Sequence, residues 1–258
     1  MPSELFSDVA GDVGDPTRPL VVLCHGAMDR SAGMLRLSRR LDDRCAVIRY
    51  DRRGYARSGA AGGPYTVAQH VADLEDVLDT HAPGRRVALG FGHSFGGNVV
   101  LALAARRPDR FERVAVYETP MSWLDWWPQD GASGMARRSS DPHDAAEAFM
   151  RRMVGDERWE ALPQATRDGR RAEGPAMLAE LADLGSAAPW RADQVSVPVL
   201  TMCGEHARPQ HRRAMRELAD ALPDAEHRVL DGAGHAAPNT HPGELAARLL
   251  EFGLSGDG

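Results

Sequence analysis

RVALGFGHSFGGNVVLALAAR, Arg86 to Arg106, strings together three kinds of sequence. Val87, Ala88 and Leu89 are an apolar run of strand type. Gly92-His93-Ser94-Phe95-Gly96-Gly97 is too glycine-rich for a regular element, and Asn98 to Ala105 is almost entirely apolar. Strand, sharp turn and buried helix in that order predict an α/β unit with Ser94 held at the turn. The G-x-S-x-G pattern is a weak signal alone; the strand before it and the helix after it give it meaning.

A turn this tight would drive side chains two residues before and after Ser94 into the neighbouring backbone, and Gly92 and Gly96 remove them. Gly97 lets the following helix lie close to the strands. The free N–H groups at that helix's start then point toward negative charge developing beside Ser94.

Working outward, Leu20 to Cys24 and Ala46 to Tyr50 are apolar throughout, as strands covered on both faces should be. The first leads into His25-Gly26-Ala27-Met28, where Ser31 is a candidate cap for a helix bearing Leu35, Leu37 and Leu41. The second leads into the glycine-marked loop Asp51 to Gly59. A further strand is expected near Leu5 to Val9. Thr66 is placed to cap a helix whose Val67, Val71, Leu74 and Leu78 share one face.

After the elbow helix, Arg113 to Tyr117 reads as a strand ending at Glu118. Val197 to Cys203 and His227 to Leu230 read as two more, separated by a helix bearing Met215, Leu218, Ala219 and Leu222. Leu245, Leu249 and Phe252 line a closing helix. This alternation predicts a mostly parallel, doubly wound α/β sheet with helices on both faces. Residues 1–118 and 195–258 would form the core. Between them, Thr119 to Gln194 shows helical patches and no strand, and holds all five tryptophans; it is expected to be a helical cap over the strand ends.

The chain has 258 residues, enough for a sizeable core, and a net charge of −6 with no basic run, so nucleic acid is a poor partner. All 31 cationic side chains are arginine, which excludes lysine Schiff-base chemistry and a phosphate-loop lysine. Cys24, Cys45 and Cys203 lack metal or redox spacing and lie in or beside apolar runs, as buried thiols in a reducing compartment would. The acidic start MPSELFSDVAGD has no apolar segment, and no later run reaches about 18 apolar residues. A soluble, cytoplasmic protein with no membrane partner is expected. Nothing in the sequence indicates an oligomeric state.

In open parallel sheets, ligands bind beyond the carboxyl ends of the strands, and His25, Ser94, Glu118, Glu205 and His235 all fall there. A serine hydroxyl needs a base to remove its proton, and histidine titrates in the right range. His235 sits in a glycine-flanked loop that lets its ring turn inward. A carboxylate must hold the other ring nitrogen.

At these residues the chain resembles the serine-nucleophile branch of the α/β-hydrolase superfamily, capped by helices, from about Leu20 to Phe252. The resemblance rests on His25-Gly26, Asp51-Arg52-Arg53-Gly54, G-H-S-F-G-G at Gly92 to Gly97, and Gly232-Ala233-Gly234-His235. It implies Ser94 as nucleophile, His235 as base, and the backbone N–H groups of Ala27 and Phe95 as an oxyanion hole.

The acid departs from the commonest pattern. Many relatives carry it three residues beyond the glycine that ends the strand after the cap, where this chain has Ala207. Others carry it at the end of the strand following the elbow helix, where Glu118 stands. Glu118 is therefore the expected acid, Glu205 the alternative, with Asp231 and Asp125 behind them. His25, Met28, Met121, Trp123, Trp126 and Trp127 are expected around the substrate, with His25 shaping the oxyanion loop and His93 packing beneath the elbow. His206 and His211 lack partners at ligand spacing, so neither metal nor cofactor is expected. The expectation is a cofactor-free hydrolase of a small or medium acyl compound, most simply an ester, working through an acyl-enzyme. C–C bond hydrolysis, lyase or cyclase chemistry, and a non-catalytic binding protein are the alternatives.

Overall fold

The apolar runs between glycine-rich loops fold as strands: β1 (Ser7–Ala10), β2 (Leu20–Cys24), β3 (Ala46–Tyr50), β4 (Val87–His93), β5 (Phe111–Tyr117), β6 (Val199–Gly204) and β7 (Ala225–Leu230). In the computed structural model, which describes residues 5–254 except 129, 130, 132, 133, 135–137, 139 and 140, these make one seven-stranded sheet in the order β1-β3-β2-β4-β5-β6-β7. Only β1 runs antiparallel, pairing Ser7 with Tyr50; it begins two residues later than its sequence suggested.

Every residue of β2, β3, β4 and β6 is buried. Successive side chains leave opposite faces of a strand, so Leu20 and Val22 join one core while Val21 and Leu23 join another. On the first face lie α2 (Val67–His81), α3 (Phe95–Arg106) and α8 (Pro209–Ala221); on the second, α1 (Leu35–Leu41) and α9 (Pro242–Gly253). Each fully buried aliphatic side chain contributes about 1.5–3 kcal/mol of transfer free energy.

Helix starts follow local chemistry. Thr66 accepts a hydrogen bond from the Gln69 N–H at 3.2 Å and caps α2, an interaction typically worth about 1 kcal/mol. Ser31 does not cap: it opens a 3₁₀ turn, and its own N–H donates to Asp51 Oδ1 at 2.7 Å. The loop carboxylate has taken the role expected of the hydroxyl.

The register sets the functional edge. Cys24 pairs with Gly92, His93 with Tyr117 and Gly204 with Leu230, so the residues that follow β2, β4, β5, β6 and β7 all emerge on one side. Over that side lie α4 (Pro142–Val154), α5 (Asp156–Glu160), α6 (Gln164–Ala172) and α7 (Gly174–Ser186). Ala145, Phe149, Trp159, Met177 and Leu181 from these helices pack with Met28 and Tyr55 of the sheet-edge loops as a third core. No strand occurs among the described residues of 119–194. The three cysteines are buried and free, and no helix among the described residues is long and apolar enough to cross a membrane.

Candidate active site

Ser94 stands between the last residue of β4 and the first of α3, at φ 52° and ψ −124°. A non-glycine residue there is strained, and the strain persists because its surroundings over-determine it. The Ser94 N–H donates to the Tyr117 carbonyl at 2.8 Å, tying the turn to β5. A Cβ on Gly92 would meet the Gly96–Gly97 backbone, as expected. One on Gly96 would instead strike the carbonyl oxygens of Cys24 and His25, and one on Gly97 the Thr119 side chain. The glycines thus serve the approach of β2 and of the loop after β5 as well as the turn itself.

Glu118 follows β5 in another left-handed conformation, φ 48°. Its fully buried carboxylate reaches His235 Nδ1 with Oε2 at 2.7 Å and accepts the Gly204 N–H on Oε1 at 3.0 Å. Burial pushes the Glu118 carboxyl up, but the hydrogen bond and charge of His235, with the Gly204 N–H, outweigh it and hold the group below the ordinary 4.5. An ionised carboxylate only accepts, so His235 Nδ1 carries a proton, and in the neutral ring this is the tautomer that leaves the lone pair on Nε2. The His235 loop is fixed from beneath: His93 Nε2–H donates to the His235 carbonyl at 2.8 Å, and the Tyr117 hydroxyl donates to the Gly234 carbonyl at 2.9 Å.

Glu205 does not touch the His235 ring; its Oε2 accepts the Gly232 N–H at 2.8 Å and braces the preceding turn. Asp231 and Asp125 are exposed.

The loop His25 to Met28 is held from three directions. His25 Nδ1–H donates to the Gly26 carbonyl at 2.8 Å while its Nε2 accepts the Arg52 N–H at 2.8 Å; burial foremost holds this ring neutral. Arg52 donates from Nε to the His25 carbonyl and from Nη2 to the Gly26 carbonyl, both at 3.0 Å. Its remaining face meets Glu180 of α7, which also accepts the Tyr55 hydroxyl at 2.6 Å and pairs with His70 at 2.7 Å. Arg170 of α6 holds the carbonyl of Met28 at 2.7 Å, and Met28 is itself left-handed at φ 56°.

Ala27, Ser94, Phe95 and His235 line one cavity of about 150 Å³, with Pro120, Ser122, Trp127, Phe149, Met153, Leu181, Arg208, Gln210 and His211. Of the six residues expected around the substrate, Trp127 lines it and five do not. His25 is buried behind the loop it shapes, and Met28 joins the third core. Met121 packs into the sheet core, Trp123 stacks edge-on against Trp190 at 5.6 Å, and Trp126 is covered by the Arg213 guanidinium at 4.1 Å. Apolar composition drew attention to the tryptophans, but most of them found protein partners. Arg208 and Gln210, which the sequence reading passed over, and His211, which it weighed only as a metal ligand, stand at the start of α8 directly after Ala207. That departure from the usual pattern was the available signal.

His211 packs its ring on His235 at 5.1 Å and lies edge-on to Trp127 at 5.2 Å, while His206 is exposed. Glu118, His211 and His235 offer donor atoms within 4.8 Å of one another, the only such group among the described residues. Each Glu118 oxygen already accepts one N–H group, from Gly204 and from His235.

Burial foremost, and then the neighbouring His235, hold His93 at about 3 and His211 at about 3, against an ordinary 6.5. Unfolded histidines take up protons below that value and these two do not. The stability they contribute is complete above pH 6.5 and is lost as pH falls toward 3. At up to about 1.4 kcal/mol per pH unit for each ring, urea unfolding should show roughly 2 kcal/mol less stability at pH 5.5 than at 6.5. Equal midpoints at the two pH values would contradict neutral burial of these rings.

The sequence matches the model of the alpha/beta hydrolase family over residues 21–248. It is 30% identical over 252 residues to lipase LipV of Mycobacterium tuberculosis, covering 90% of this chain and 91% of that protein. The fold superposes on the crystal structure of the enol-lactonase from Burkholderia xenovorans with a TM-score of 0.75 and 27% identity, over 96% of this chain and 95% of that one.

Proposed function

The chain belongs to the alpha/beta hydrolase family and is an α/β-hydrolase enzyme, and on that premise we propose that it is a serine hydrolase of small carboxylic esters, with Ser94, His235 and Glu118 as its triad. One observation carries this reading. A serine on a strained strand-to-helix turn shares its cavity with a histidine whose far nitrogen is engaged by a buried carboxylate at 2.7 Å.

His235 Nε2 removes the Ser94 hydroxyl proton as Oγ attacks the ester carbonyl carbon. The negative charge on the carbonyl oxygen meets the N–H groups of Ala27 and Phe95, and Glu118 stabilises the imidazolium. His235 passes the proton to the departing alkoxide, the C–O bond breaks, and an acyl-enzyme remains. Water repeats the steps: it loses a proton to His235, attacks the acyl carbon and frees the carboxylic acid, and the proton returns to Ser94.

The helices α4 to α7 serve as the cap, with Phe149, Met153 and Leu181 supplying apolar walls. A cavity of about 150 Å³ holds roughly a benzene ring, which favours short acyl groups. A fluorophosphonate probe tests the proposal. One covalent adduct should form on Ser94, mapped by peptide mass, and none on the Ser94→Ala protein. An unlabelled Ser94 in folded protein, under conditions where a control esterase reacts, would leave a non-catalytic role.

A further inference from the structure

The polar side of the cavity is unlike the apolar wall. Among the described residues Arg208 is the one formally charged side chain that lines it, and no carboxylate does. Arg208 makes no ion pair with any described residue. Arg208 is exposed on its solvent side; the partial burial of the rest of the side chain foremost, and then the like charge of Arg152, weaken its hold on its proton, and an anion arriving from the cavity would offset that like charge.

Arg208 is also the residue that immediately precedes α8, at its N-cap position. That 13-residue helix has no side-chain cap and no acidic residue in its first turn; Pro209 has no N–H and the His211 N–H is bonded to the Arg208 carbonyl at 3.0 Å, so the N–H of Gln210 is the donor left at its positive end beside the cavity. Independently, two cavity residues hold buried polar atoms without a partner: Ser122 Oγ, on a side chain 5% exposed, and His211 Nδ1. Orphaned buried polar atoms are costly in a native fold and call for a partner. The two residues come from separate elements, the loop after β5 and α8, and both line the one cavity.

We propose that the acyl substrate carries a carboxylate, received by Arg208, the first turn of α8 and Ser122 Oγ while its ester carbonyl lies at Ser94. This rests on the serine-hydrolase reading and narrows its substrate to short anionic half-esters or lactone acids. A guanidinium offers paired N–H donors to a carboxylate, and charge-assisted hydrogen bonds are the stronger kind. A neutral alkyl ester of the same length leaves those donors unsatisfied.

The test pairs monomethyl glutarate with methyl pentanoate, which match in length and differ in the carboxylate, and follows acid release by pH-stat. The ratio of kcat/KM should favour the half-ester by at least about tenfold and fall toward one in Arg208→Gln. Ser122→Ala should lower the ratio less. A ratio near one in the native protein, or one that Arg208→Gln leaves intact, overturns the proposal. Calorimetric binding of the same two compounds to the Ser94→Ala protein separates this from the reaction itself. Tighter binding of the half-ester that is lost with Arg208→Gln supports the anion site even if neither ester is hydrolysed, an outcome that would sink the serine mechanism alone. Equal binding of the two compounds overturns the anion site whatever the rates.

Discussion

Glu118→Gln should lower kcat by about 10⁴-fold, while Glu205→Gln should change it by less than about threefold. The amide keeps the shape of the side chain and can still accept the Gly204 N–H, which is now bonded at 3.0 Å. Its other end can present an NH₂ group to His235 Nδ1, where the carboxylate accepts at 2.7 Å. Two donors then face each other. The ring is driven to the tautomer that protonates Nε2, the nitrogen that must take the Ser94 proton, and no negative charge remains to stabilise the imidazolium. Ser94→Ala sets the floor, a loss of about 10⁶-fold on the scale of nucleophile deletions in triads. In Glu205→Gln the side-chain oxygen still accepts the Gly232 N–H and touches nothing in the triad. Steady-state rates on one short ester, with circular dichroism to verify folding, decide the matter. Collapse of the Glu205 variant with retention in the Glu118 variant would exchange their roles.

Glu180→Leu should cost about 3–5 kcal/mol of folding stability, because it leaves Arg52 charged and fully buried with no counter-ion. The carboxylate serves several partners at once. Arg52 faces both oxygens, Tyr55 donates to Oε2 at 2.6 Å, and His70 lies 2.7 Å from Oε1. Burial alone would push the Glu180 carboxyl up; Arg52 foremost and then His70 outweigh it and keep it ionised. The effect should reach the site, since Arg52 also holds the carbonyls of His25 and Gly26, the residues immediately before Ala27. Urea unfolding measures the loss. Adding Arg52→Leu should recover part of it by removing the stranded charge, as replacing both members of a buried pair often does. A Glu180→Leu loss below about 1 kcal/mol would mean that water or another group reaches Arg52.

The two networks explain which parts of the site were legible. The Ser94 turn was readable because it is local: Gly92, Gly96 and Gly97 stand within three residues of the serine, and their close approaches follow from backbone sterics. The role of Asp51 was not, because Ser31 and Asp51 lie 20 residues apart and meet only through the pairing of β2 with β3. The tryptophans misled for a related reason. An aromatic side chain reports that area will be buried, without saying against what, and Trp123 buries itself against Trp190. Arg52 carried no local sign of its partner, since Glu180 lies 128 residues away on a helix packed across the loop.

By itself the sequence determined the succession of buried strands, glycine turns and amphipathic helices, and with it the sheet and the strained position of Ser94. Periodicity and backbone sterics act over a few residues and are written there in full. Only the tertiary structure decided which carboxylate reaches His235 across 117 residues of chain, and which side chains of α8 face the cavity. Those choices depend on the register of parallel strands and on how distant helices pack, and neither leaves a periodic mark in the sequence.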